Sequence, residues 1–151
     1  MTQSFDFAQA PGHLIRRAHQ IAVALFMTEL SGEDVTPVQF AVLNAVMDTP
    51  GIDQVTLAGR VAFDAATSGS VIGRLETKGW IVRHILPRRQ RSLHLTDEGT
   101  SLLAEMLPRV QAMYARILEP LSAPEQTELL RLLGKLTTTP EDPPSPTPDQ
   151  G

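Results

Sequence analysis

The stretch DQVTLAGRVAFDAATSGSVIGRLETKGWIVRHILPRRQRSLHLT, residues 53–96, changes its periodicity twice, and those changes decide the fold. Asp53 is a helix-capping residue ahead of QVTLAGRVA, and Asp64 is a second one ahead of AATSGSVIGRLETKG. Ile72 and Leu75 share the inward face of that second helix, and Gly79 stands just past its end, where a left-handed residue closes helices. Two short helices joined by a tight turn predict a helix-turn-helix. Beyond Gly79 the pattern becomes β-like. WIVRHI is rich in β-branched and aromatic residues, LPRRQR reads as a turn, and SLHLT alternates apolar Leu93 and Leu95 with polar neighbours. The hairpin completes a winged helix with arginines at the wing tip.

Outward from this centre the chain is helical. GHLIRRAHQIAVALFMTEL, following Pro11, carries two adjacent apolar stripes (Leu14, Ala18, Ile21, Leu25 and Ile15, Ala22, Phe26), wider than one amphipathic face needs. Thr36-Pro37 starts PVQFAVLNAVM, with Phe40, Leu43 and Val46 or Met47 inward. Thr96-Asp-Glu-Gly opens a helix running to about Glu119, with a kink expected at Pro108. Ser122-Ala-Pro-Glu125 is a capping box before a leucine-rich last helix. The end, TTTPEDPPSPTPDQG, has five prolines and almost nothing to bury, so disorder is expected over 137–151. A winged helix closes its own core, and the outer helices carry apolar surface beyond that need. The economical reading makes 12–35 and 97–136 dimerisation helices around a DNA-binding region at 36–96, with 1–11 an N-terminal arm. The fold class expected is therefore mainly α with a small β-hairpin wing.

At 151 residues one core is expected. No apolar run is long enough to span a membrane and the N-terminus lacks the pattern of a signal peptide, so a cytoplasmic location is expected. Zero cysteines exclude disulfides and thiolate chemistry. Charge is segregated. Residues 65–91 hold six bases (Arg74, Lys78, Arg83, Arg88, Arg89, Arg91) and one acid, Glu76, a balance of +5; of the chain's 13 bases and 17 acids this leaves 7 and 16 elsewhere, or −9. Such a dipole orients binding to a polyanion.

VTLAGRVAFDAATSGSVIGRLETKGWIVR followed by RRQRSLHLTDEG resembles the recognition helix, LExKG close and L-T-x-x-G wing end of the MarR family (multiple antibiotic resistance regulators). The resemblance extends over about residues 12 to 136. It implies a homodimer on a palindromic operator, with Ala65 to Lys78 in the major groove and Arg88 to Arg91 reaching the minor groove. One position departs: Pro87 stands where the family commonly has an aspartate that braces the paired arginines.

The expected DNA contacts are then Ala65, Thr67, Ser68, Ser70, Arg74, Arg88, Arg89 and Arg91. The hydroxyls lack the bidentate reach of Asn, Gln or Arg, so direct readout is modest; Arg74 suits phosphate, and the wing arginines suit a narrow A·T-rich groove. Ser68 or Ser70 has a competing role packed against the first helix of the pair, Ser68 more so. A solvated loop is the competing role for the wing arginines.

The resemblance also implies a pocket for a small anionic aromatic effector. On the first helix His13, Arg16, Arg17 and Gln20 are one-turn neighbours able to converge on a carboxylate, with Phe40 among the apolar partners. Pairing with the other subunit's acids is the competing role for Arg16 and Arg17. The function expected is a ligand-responsive repressor of a catabolic or efflux operon, released by an aromatic acid, with no cofactor or metal. The four histidines are scattered and there is no phosphate loop or nucleophile elbow, which argues against an enzyme. A winged helix used only for protein interaction is the alternative, and it leaves the basic wing without a purpose unless the partner is acidic.

Overall fold

The computed structural model describes residues 4–61, 65–89 and 91–138, with Ala65 and Arg89 described in backbone only. The chain divides into two units, Met1–Ile117 and Leu118–Gly151. The first holds α1 (Pro11–Glu29), α2 (Pro37–Asp48), β1 (Ile52–Asp53), α3 (Gln54–Arg60), α4 (Ala65–Thr77), β2 (Ile81–Ile85), β3 (Arg91–Leu95) and nearly all of α5 (Asp97–Leu118). The second holds α6 (Ala123–Thr137). The cap expected at Asp64 and most of the proline-rich end lie outside the described residues.

α2, α3 and α6 (Ala123–Thr137) begin where side chains can replace missing backbone acceptors. At α2 the Thr36 hydroxyl accepts from the Gln39 amide at 3.2 Å while the Gln39 side chain accepts from the Thr36 amide at 3.2 Å. At α3 the Asp53 carboxylate accepts from both the amide and the hydroxyl of Thr56, at 2.8 and 2.7 Å. Those bonds favour the ionised form and lower the Asp53 pKa from its ordinary 3.8. Ser122 and Glu125 form the same reciprocal pair at α6.

The end of α4 is the joint of the winged helix. Gly79 takes φ +78, the Trp80 amide donates to the Leu75 carbonyl and the Gly79 amide to that of Glu76, each at 3.0 Å. This exit turns directly into β2. Thr96 then ties the far end of the wing back to the joint: its amide donates to the Trp80 carbonyl at 3.1 Å, and its hydroxyl donates to Gly79 at 2.6 Å and accepts from the Gly99 amide at 3.1 Å. A Cβ on Gly99 would overlap the Trp80 carbonyl, so glycine is required for this closure. The L-T-x-x-G sequence is thus the seat of α5 on the exit of α4.

The sheet has the order β1-β3-β2, all antiparallel. The sequence reading contained the hairpin and not β1, which exists only because Ile52 and Asp53 pair with Leu93 and Ser92. Arg91, expected in the turn, is the first residue of β3 and lies opposite Ile85. Ile72, Leu75 and Leu93 are buried with Leu57, Leu43 and Val46 in one core that continues through Phe26 and Leu30 of α1 and Met106, Val110 and Met113 of α5. α5 runs through Pro108 as one helix, although proline lacks the N–H that would bond the Ala104 carbonyl. Arg109 and Arg116 fasten it to α1, through the Glu29 carbonyl, Glu33 and the Glu29 carboxylate.

Candidate functional site

The recognition helix expected from the sequence presents one uncovered row. Thr67, Ser70, Arg74 and Thr77 are all exposed at spacings of three and four, the period of one helix face. Ser70, Arg74 and Thr77 line a shallow groove of about 520 Å³ with Thr36, Gln39 and Lys78. Ser68 is a correction. It is 1% exposed, on the opposite side of the helix, and its hydroxyl has no hydrogen-bond partner among the described residues. Its smallness serves the packing of the helix pair, and it cannot reach a base.

The basic segment is only partly available to a ligand. Lys78 is bound to the carboxylate and the backbone carbonyl of Asp34 and lies 4.8 Å from the centre of the Trp80 ring. Arg83 donates to Glu76 at 2.6 Å, with both side chains mostly covered, which couples β2 to α4. The single acid of the segment is therefore already occupied. Arg74, Arg88 and Arg91 are exposed and have no ion pair among the described residues.

No aspartate pairs with the wing arginines among the described residues. Pro87–Arg89 form a single 3-10 turn in which Arg88 adopts φ 67, ψ 27, a left-handed conformation costing on the order of 1 kcal/mol for a residue with a Cβ. Farther down, the His84 and His94 rings meet diagonally across β2 and β3 with centres 5.1 Å apart.

A cavity of about 410 Å³ opens among α1, α2 and α5. Its wall is mainly apolar, with Phe26 and Phe40 in tilted contact at 5.8 Å. The polar groups at its edge are His19, Asn44, Gln111 and Tyr114. Asn44 donates its amide to the Phe40 carbonyl at 2.8 Å, and its side-chain oxygen accepts nothing from the described residues. The volume and character suit a small aromatic molecule.

Of the five residues expected to bind ligand, Phe40 alone lines this cavity. His13 lies against the Phe7 ring at 4.6 Å, and Arg17 leans on Gln20 at 3.5 Å. Arg16, like His13, Arg17 and Gln20, is outside the cavity wall. Helical spacing correctly groups these four on α1 but cannot say which face looks toward α2 and α5. The residues that do, His19 included, come from three separate helices. Asn44 is a local signal, an amide set among the apolar residues that follow Gln39 in α2.

Residues 33–92 match the profile of the MarR family. The transcriptional regulator HosA of Escherichia coli is 33% identical over 129 residues, covering 84% of this chain and 94% of its own. Among solved structures, BpsR of Bordetella bronchiseptica, whose DNA binding is regulated by 6-hydroxynicotinic acid, has a TM-score of 0.86 at 30% identity, over 91% of this chain and 99% of BpsR. PcaV of Streptomyces coelicolor, in complex with its natural ligand, has a TM-score of 0.82 at 36% identity, over 89% and 96%. The winged helix, its L-T-x-x-G closure and an alignment that spans nearly all of HosA make this chain a member of the MarR family of transcriptional regulators.

Proposed function

We propose that the chain is a homodimeric repressor acting in the cytoplasm, which holds a palindromic operator with α4 and the wing and releases it when a small aromatic acid enters the cavity among α1, α2 and α5. The observation that carries this reading is the division of the basic segment. Lys78 and Arg83 are tied to acids, whereas Arg74, Arg88 and Arg91 have no ion pair among the described residues and stand on the two elements that a winged helix applies to DNA. Thr67 and Ser70 face base edges in the major groove, where the backbone of Ala65 opens the helix, Arg74 takes phosphate, and Arg88, Arg89 and Arg91 take the minor groove. A protein-interaction module would leave those arginines without a counter-ion unless its partner were acidic.

Dimerisation accounts for the apolar residues left in water: Leu14, Ile15 and Ile21 on α1, and, in the second unit, Leu130 and Leu136 on α6. In the cavity the apolar wall covers an aromatic ring. Asn44 accepts from a ring hydroxyl while Tyr114, His19 and Gln111 donate to a carboxylate. The regulation of BpsR by 6-hydroxynicotinic acid, which carries both groups, supports that class of effector. The target is a catabolic or efflux operon. Release follows if the effector favours a dimer whose two α4 helices no longer match half-sites about 34 Å apart.

The test is a salt titration on the duplex that the wild-type protein selects from a random pool, with and without hydroxybenzoic and hydroxynicotinic acids. Binding is expected to weaken with salt, the slope to fall by about one for each of Arg88→Ala and Arg89→Ala per wing, and one of the acids both to raise the thermal midpoint and to weaken binding. Failure to select any duplex, or acids that move neither quantity, would refute the proposal.

A further inference from the structure

We infer that the wing carries an apolar wedge, Ile85 with Leu86, which seats against the walls of the DNA minor groove between the wing arginines. This rests on the DNA-binding reading above and adds to it a contact of different chemistry. Ile85 is 78% exposed and Leu86 43% exposed, both on or just past β2, the edge strand of the sheet. Exposed edges usually carry charge, which blocks unwanted pairing and lowers the cost of contact with water. Here the tip of an edge strand carries a β-branched hydrocarbon.

The register explains why nothing in the fold covers it. Ile81, Arg83 and Ile85 point to one face of β2, opposite Leu95, Leu93 and Arg91. At the base of the wing this face is core, with Ile81 and Leu93 buried. At the tip the same face extends past the core and ends in the pair Ile85 and Arg91. Pro87 and the left-handed Arg88 then turn the chain, so along the hairpin the hydrocarbon stands between Arg88 and Arg91, neither of which has an ion pair among the described residues.

That alternation fits the minor groove better than other anionic surfaces. Phosphates line its rims, its walls are sugar C–H, and apolar side chains entering it unstack flexible base steps. A lipid surface is met by a broad apolar helix face beside basic residues, and this patch is two side chains on a strand end. The inference therefore assigns Ile85 a part in choosing sequence, through the ease of deforming the step beneath the wing.

Ile85→Ser separates the wedge from the arginines, because burying hydrocarbon releases no counter-ions. On the duplex selected by the wild-type protein, the variant should bind about fivefold more weakly per wing at every salt concentration, with an unchanged salt slope. Arg88→Ala should lower the slope by about one per wing. Ile85→Met should restore most of the affinity, and an unchanged thermal midpoint shows that the serine variant is folded. Equal affinity of Ile85→Ser and wild type overturns the wedge while leaving the regulator reading standing. A slope that falls as it does for Arg88→Ala overturns it too, as does a loss confined to adsorption on phosphatidylglycerol vesicles. A wild-type protein that selects no duplex overturns both readings.

Discussion

Ser68→Ala should make this protein more stable without changing its hold on DNA. The hydroxyl is buried among the side chains that pack α4 and has no hydrogen-bond partner among the described residues. Leaving such a group unsatisfied costs about 1–3 kcal/mol. Alanine removes the group and gains about 0.5 kcal/mol of helix propensity. Against this stands the loss of one packed atom, whose small void offsets part of the gain. The net expectation is about 1–2 kcal/mol of stabilisation, or a rise in the thermal midpoint of about 3–8 °C for a domain of this size. Calorimetry at fixed protein concentration reads the first quantity, since the midpoint of the proposed dimer depends on concentration. Affinity for the selected duplex, measured across salt, reads the second. A lower midpoint would show that the hydroxyl is bonded in solution. A weaker complex with an unchanged midpoint would put Ser68 at the DNA after all.

Two further substitutions probe the framework. Gly99→Ala places a methyl group against the Trp80 carbonyl, and because both partners are backbone the strain should destabilise by about 2–4 kcal/mol, seen as a lower urea midpoint. Asp53→Ala removes the α3 cap and should cost about 1 kcal/mol at neutral pH. The Asp53 pKa is lowered in the folded protein, so the carboxylate's contribution is present above its unfolded value and is lost as pH falls through the folded one. The gap between wild type and variant should therefore narrow as pH drops below about 3.8, and a gap that stays constant down to pH 2 would contradict the bonding at Thr56.

The framework was legible wherever a local signal sufficed. Thr36-Pro37, Asp53 and Ser122 mark helix starts because a capping side chain bonds an amide two or three residues away. Gly79 marks the end of α4 for an equally local reason, its positive φ. What the sequence withheld is non-local. β1 is two residues long and owes its existence to β3, so no periodicity announces it. Arg91 looked like a turn residue until register set it opposite Ile85. Arg83 looked like part of a free cluster, because nothing in the spacing shows that the strand brings it back to Glu76. The cavity is non-local in the same way. His13, Arg16, Arg17 and Gln20 form a coherent group on α1, yet the cavity depends on how α1 meets α2 and α5, which no single helix encodes.

The bond between Arg83 and Glu76 limits how this molecule can be regulated. It joins the wing to the recognition helix at mid-length, and the Gly79, Trp80 and Thr96 contacts join them again at the root. With two attachments the reading head has no hinge of its own. In the proposed dimer, an effector entering among α1, α2 and α5 would then act on the placement of whole heads relative to each other. Under the proposed function the molecule is expected to behave as a caliper, keeping its grip on a single half-site and losing only the measured separation between two. Its response to effector should consequently vanish on DNA that carries one half-site alone.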